Sequence, residues 1–386
     1  MIPRRLAAIG LAVAILGCGR EGKSPLPDIP IISQTVDADH SLHLTEDLRI
    51  DGHRDDAAFF LIRSVVLDDR ANIYVLDGGT HRVQVFDSAG GLISTFGQEG
   101  QGPGDLLQPI DMWLRGDTIG IADARNRILL FGLDGTHYFT RSFVDLSPDG
   151  DRWVTAPVTG SVVGWLVSAS AYFRSTQRNA HPLHRVRVFR LGEAGDLDPA
   201  GFSTEWSPPG QMDGLFFVEP PFVSRLHVAV DGLGRVHVAR GDDYVIDVHE
   251  VSGAVLYRVE NQVAREPITP QLLEAWKASR ACRDGRPECN PRWTELALSM
   301  DVPRYRPIIG QLRAFSLGHL AVLREDLDPN PTDTVFTAQY DLFDPDGRFI
   351  GRLPTGITPR WFDGHTLLVT ERDKLGVPSV VRYRVE

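Results

Sequence analysis

The chain has 386 residues, 42% of them hydrophobic, with 37 glycines, 26 prolines and a formal net charge of −11. This balance excludes a nonspecific nucleic-acid binder, because neutralising phosphates needs a basic surface and no cluster of Lys or Arg stands out. The length exceeds a typical single domain, but units repeated around an axis absorb it without enlarging one core. The abundant Gly and Pro suit short strands joined by tight turns, and long helical periodicity is nearly absent.

The chain opens on Arg4 and Arg5, then an apolar run from Leu6 to Leu16 that ends at Gly17-Cys18. A basic start followed by an apolar run too short to span a bilayer has the layout of an export signal, here residues 1–17. Ile15-Leu16-Gly17-Cys18 resembles the bacterial lipobox, which implies that Cys18 carries lipid; Gly19 in the next position points, by that family's sorting pattern, to the outer membrane. Residues 18–37, with Pro25, Pro27 and Pro30, read as a flexible tether. The other two cysteines, Cys282 and Cys289, flank a loop containing Gly and Pro. In an oxidising compartment they are expected to form a disulfide, with two free thiols as the alternative; two thiols alone fall short of the four ligands zinc takes.

From Ser64 to Phe96 four short apolar runs, Val65–Leu67, Ile73–Leu76, Val83–Phe86 and Leu92–Phe96, are each closed by turn residues. The pattern returns through Met112–Leu114, Thr118–Asp123 and Asn126–Phe131, and Gly135 lies 45 residues after Gly90. A strand-built period of that length signals an all-β propeller of four-stranded antiparallel blades. The Gly-rich stretch 97–105 opens no helix, so it reads as a crossover between blades and not as a phosphate cradle. The third unit is irregular, with strands near Trp153, Ser161–Val167 and His184–Phe189 and two long loops, 169–182 and 195–220, of the kind that carry binding. The fourth returns at Leu226–Asp231, Arg235–Ala239, Tyr244–His249 and Ala254–Val259. An insertion, 261–304, follows. Thr269-Pro270 is a helix start there, and Leu272, Leu273 and Trp276 share one face of a helix expected to form a lid over the propeller. A fifth unit runs from Ile308 to Leu353 and a sixth begins near Trp361. The sixth stops short of an outer strand, so the segment Leu42–Ile50 is expected to close it against Val380–Val385. The expected architecture is therefore one six-bladed propeller over residues 38–386.

Asn72–Asp77, His81–Asp87, Gly97, Gly102–Gly104, Ile121–Asp123 and Asn126–Ile128 resemble the NHL repeat, and the wider chain is similar to bacterial six-bladed, NHL-like propeller lipoproteins. The resemblance implies the fold but no single activity, since relatives include binding modules, sensors, lactonases and lyases. In the gluconolactonase and paraoxonase type it implies Ca²⁺ held in the channel by Glu, Asn and Asp; this chain has only six Asn and shows no recurring ligand set, so no cofactor is predicted and Ca²⁺ is the one considered. In the NHL pattern Asp77 and Asp123 are implied to brace strand turns. No catalytic or metal-ligating residue is assigned, as no Gly-x-Ser-x-Gly or His-Glu-x-x-His motif occurs. The leading expectation is a monomeric, lipid-anchored module of the cell envelope, facing the periplasm or the cell surface, that binds a protein, peptide or glycan. Arg82, Arg127, Arg240 and Asp243 are then expected near the rim or channel and Trp276 on the lid. A metal-dependent hydrolase, lactonase or lyase, and a structural spacer, are the alternatives.

Overall fold

The computed structural model describes residues 29–36, 40–54, 57–123, 127–142, 153–154, 158–161, 163–173, 183–192, 196–213, 216–279, 290–324 and 339–386. The export signal, Cys18, Cys282 and Cys289 lie outside these residues. Six antiparallel sheets follow one another around an axis as a six-bladed β-propeller. Blade 1 is built from Ile62–Leu67, Ile73–Asp77, Arg82–Phe86 and Leu92–Phe96, and blade 2 from Pro109–Arg115, Thr118–Asp123, Arg127–Gly132 and His137–Ser142. Blade 4 takes Leu226–Val230, Arg235–Arg240, Val245–Glu250 and Val255–Gln262, and blade 5 Ile309–Ala314, Leu320–Arg324, Gln339–Phe343 and Phe349–Arg352.

Blade 6 draws three strands from the end of the chain, Thr358–Phe362, Thr366–Arg372 and Pro378–Val385, and its outer strand, Leu44–Ile50, from the beginning. Leu44 faces Val385 and Ile50 faces Val380, the closure expected from the sequence. Ring closure removes the exposed edge that a three-stranded last blade would present.

The N-terminal stretch goes further than expected. Ile31–Thr35 is not tether; it lies parallel on Val255–Gln262 as a fifth strand of blade 4, with Ile31 opposite Arg258 and Thr35 opposite Gln262. A β-branched run beside an open sheet edge gains a ladder of hydrogen bonds, which outweighs the prolines that precede it. Gln34 then donates to Gly347 O and accepts from Phe349 N in blade 5, and Leu42 N and His40 O bond the backbone of Arg352. The N-terminal segment is thus a belt across the outer edges of blades 4, 5 and 6.

Blade 3 departs from its expected outline. Its inner edge is two pieces, Trp153–Val154 and Val158–Ser161, both paired with Gly164–Phe173. Gly164–Phe173 and Leu183–Leu191 form a longer hairpin than expected, and Leu197–Trp206, inside the presumed binding loop 195–220, is the outer strand. Its alternation shows weakly because an edge strand buries little and tolerates Pro199.

One turn recurs across the blades. In Asp87–Gly91, Asp231–Arg235, Asp344–Arg348 and Asp373–Val377 the aspartate Oδ1 accepts backbone N–H groups two and four residues on. The fourth residue is a glycine with φ between 80° and 85°. Asp68–Asn72 makes the same bonds with Ala71 in that place, at φ 61°. The inner strands are tied to one another by Ser64 Oγ donating to Met112 O, Arg115 Nε to Ser161 O, Thr159 Oγ1 to Val230 O and Arg360 Nη1 to Arg63 O.

Candidate functional site

Antiparallel blades give the ring two unlike faces. On one lie the turns between second and third strands, together with the crossovers into each blade; on the other lie the turns between first and second strands. Asp77 sits on the crossover face and accepts from Phe60 N, Leu61 N and Gly79 N at 2.8–2.9 Å. Asp123 does the same for Leu107 N and Gln108 N, at 2.8 and 3.1 Å. Each carboxylate pins the chain where it enters its own blade. Arg127 completes the second brace, donating to Asp123 at 2.9 Å and to Asp105 O, with its side chain only 12% exposed. It is therefore a bracing group more than a surface one.

The other candidates share this face without converging. Arg82 and Arg240 are exposed at their turns. Exposed Asp243 pairs with Arg265 at the edge of a cavity of about 330 Å³ also lined by Tyr244, Glu260 and Asn261. Trp276 is half-buried on α1 (Pro270–Ser279), whose start is capped by Thr269 as the sequence indicates. A second helix, α2 (Pro291–Leu298), uses the same device, Asn290 Oδ1 accepting from Arg292 N with Pro291 in the first turn. The sequence signal for it is Asn290-Pro291, the counterpart of Thr269-Pro270. Helix α2 docks on a hairpin, Gln211–Asp213 with Phe216–Val218, through Asp213, which accepts from Arg292 at 2.7 Å and from Trp293 Nε1 at 3.0 Å. Helix α2 therefore anchors to another insertion, and no residue of either helix lines the axial cavity described next.

A cavity of about 440 Å³ occupies the axis, walled by the innermost strands of all six blades. Its lining includes Asp68, Gly116, Ser316, Leu317 and Asp363, so it reaches the face opposite the sequence-predicted residues. Much of the wall is apolar, with Val66, Trp113, Leu114, Leu312 and Trp361. Three charged side chains interrupt it: Asp111 from blade 2, Arg313 from blade 5 and Arg360 from blade 6. Blades 2 and 5 stand across the axis from each other.

The local backbone explains two of these placements. The inner strands of blades 1, 2, 5 and 6 each carry a register shift near their start, with Arg63, Ile110, Gly310 and Arg360 as the extra residues. A bulge of this kind re-aims a side chain, here that of Arg360. Immediately after the shift Ser64, Asp111, Gln311 and Trp361 occupy equivalent positions facing the axis.

Burial pushes the Asp111 carboxyl above its ordinary range, against the opposing pull of Arg313 and a hydrogen bond from Met112 N at 2.9 Å. Burial, and then the like charge of Arg313, bring Arg360 down to about 10. Arg360 donates to Thr370 Oγ1 and Arg63 O. Arg313 makes no hydrogen bond or ion pair among the described residues, and its Nε is buried without a partner. Among the described residues no three His, Cys, Asp or Glu side chains converge.

The fold has known counterparts. A family model described as a six-bladed β-propeller matches residues 54–155. A member of the DUF4221 family from Bacteroides vulgatus is similar over 90% of this chain and 98% of its own, at 12% identity and a TM-score of 0.56. A candidate exported protein of Bacteroides fragilis covers 93% of this chain and 99% of its own at 12% identity, TM-score 0.48. Virginiamycin B lyase from Staphylococcus aureus covers 89% of this chain and 99% of its own at 9% identity, TM-score 0.42. No curated protein matches the chain. At such identities the likeness shows the fold alone.

Asp111, Arg313 and Arg360 were not singled out from the sequence. Each is a charge inside an otherwise apolar inner strand, Ile110-Asp111-Met112, Leu312-Arg313-Ala314 and Pro359-Arg360-Trp361. Once blades are aligned, that interruption is the signal that could have found them.

Proposed function

We propose that this protein is an exported, lipid-anchored propeller that acts as a binding module, with its ligand site in the axial cavity. The observation that carries the reading is the cavity: about 440 Å³, with walls more apolar than polar, Asp111, Arg313 and Arg360 set among them and Asp68, Asp69 and Asp363 at its mouth. That size and that mix of wall and polar group are those of small-molecule and peptide-end sites. The aromatic and arginine candidates on the crossover face, Arg82, Arg240 and Trp276, stand as a second surface for a protein, peptide or glycan of the envelope. Export and anchoring rest on Arg4, Arg5, the apolar run to Leu16 and Cys18.

The test of the site is a thermal-shift screen of small organic acids, amines, short peptides and glycans against the full chain and a Val228→Trp variant, which fills the cavity from a half-buried wall position. Stabilisation of the parent by a hit that the variant no longer registers supports the reading. Hits that stabilise both equally overturn the axial site. Anchoring is tested by palmitate labelling, which Cys18→Ala should abolish; undiminished labelling overturns it.

A further inference from the structure

Within the axial cavity the charges do not balance. Arg313 and Arg360 both reach the same enclosed space, and Asp111 is the one carboxyl at their depth. None of the three forms an ion pair within 4 Å among the described residues, and the Arg313 side chain has no hydrogen-bond partner among them. Desolvating a guanidinium is costly unless a counter-ion with matching geometry is at hand. Arginine is also the residue whose planar fork suits a carboxylate best. Around the charges stand Trp113, Trp361, Leu312 and Leu114, an apolar collar that would pack a hydrocarbon or aromatic body.

The mouth narrows the choice of anion. Asp68 and Asp363 lie on it, but their carboxylates are turned into their own turns, Asp68 accepting from Arg70 N, Asn72 N and the Asn72 side chain, and Asp363 from His365 N and Thr366 N. With Asp69 they leave a negative rim above a positive interior. Multiply charged phosphates are repelled by such a rim more strongly than a single carboxylate whose uncharged body crosses it.

We propose that the axial cavity binds an organic monocarboxylate with an apolar body, its carboxylate inward against Arg313 and Arg360 and its body against Trp113 and Trp361. The inference rests on the cavity being the ligand site and adds the ligand's chemical class. Asp111 acts as a selectivity element, because its carboxyl oxygen can accept a hydrogen bond from a hydroxyl or amide beside the ligand's carboxylate.

The experiment is isothermal titration of the full chain with 3-phenylpropionate, the neutral 3-phenylpropionamide, the cationic 2-phenylethylamine and inorganic phosphate. The acid is expected to bind at least tenfold more tightly than the amide, with the amine and phosphate weaker still. Arg313→Gln is expected to erase the preference of acid over amide while leaving amide binding within about twofold. Since the Arg313 side chain makes no hydrogen bond or ion pair among the described residues, and Gln keeps most of its length, the variant should stay folded, with an unfolding temperature close to that of the parent. Equal affinity for acid and amide overturns the carboxylate assignment but leaves the cavity as a ligand site. Preference for phosphate or for the amine also overturns it. Binding of the acid that survives both Arg313→Gln and Val228→Trp places it elsewhere, and then the axial reading falls as well.

Discussion

Asp341 offers the sharpest test of how the blades are held together. It lies on the third strand of blade 5, fully buried, and accepts from Arg352 Nε at 2.7 Å and from the Tyr244 hydroxyl of blade 4 at 2.8 Å, with Arg324 at 3.7 Å. Arg352 is itself almost entirely buried, at 5% exposure. Asp341→Ala removes the counter-charge and leaves the guanidinium enclosed, a change that costs about 3–5 kcal/mol. Tyr244→Phe deletes only one hydroxyl bond to a charged acceptor and costs about 2 kcal/mol. Replacing the pair together, Asp341→Leu with Arg352→Met, removes both charges but leaves the Tyr244 hydroxyl without its acceptor, and should recover part of the loss. Equilibrium urea unfolding followed by tryptophan fluorescence reads all three free energies. A loss below about 1 kcal/mol for Asp341→Ala, or a double variant as damaged as the single one, would refute the reasoning.

Four further outcomes follow from the same structure. Ala71→Gly relieves a left-handed residue in a turn that elsewhere uses glycine, and should raise stability by about 0.5–1 kcal/mol in the same urea assay; no gain would count against the strain. Ile50→Ala, fully buried in the closing strand, should cost about 3 kcal/mol, whereas Ile31→Ala, 54% exposed on the belt, should stay within about 0.5 kcal/mol; comparable losses would contradict the packing. Burial holds His227 down to about 4, so its contribution is complete above the unfolded value near 6.5 and is lost as pH falls from there to about 4, amounting to about 3 kcal/mol. Unfolding free energies measured from pH 7 to 4.5 should fall less steeply in His227→Gln, and parallel curves would dismiss the assignment. Asp213→Ala should release α2, seen as faster amide exchange over residues 291–298 with the blades unaffected; unchanged exchange would mean that the hairpin does not anchor it.

The repeat was readable because local rules enforce it. Each blade must alternate short apolar strands with turns of a definite chemistry, and Asp87–Gly91 or Asp344–Arg348 show that chemistry in five consecutive residues. The closing strand was readable for a related reason, since an unfinished blade at one end of the chain demands a partner from the other. Where local signals were weak, the reading strayed: Leu197–Trp206 is an edge strand with little to bury, and Ile31–Thr35 is too short to declare itself beside three prolines. Asn290-Pro291 carries the same cap-and-proline signature as Thr269-Pro270.

The candidate site divides along the same line. Asp77 and Asp123 recur at the ends of second strands, where the resemblance implies a brace for the strand turn; each carboxylate in fact also reaches 15 to 17 residues back, to the crossover into its own blade. Asp111, Arg313 and Arg360 belong to three blades and meet only across the axis, at a depth set by strand register and by the bulge at Arg360. Turns and the hydrogen bonds that close them act within a few residues and therefore leave marks in the order of amino acids. The electrostatics of a shared cavity depend on distances through space, and those exist only once the ring has closed.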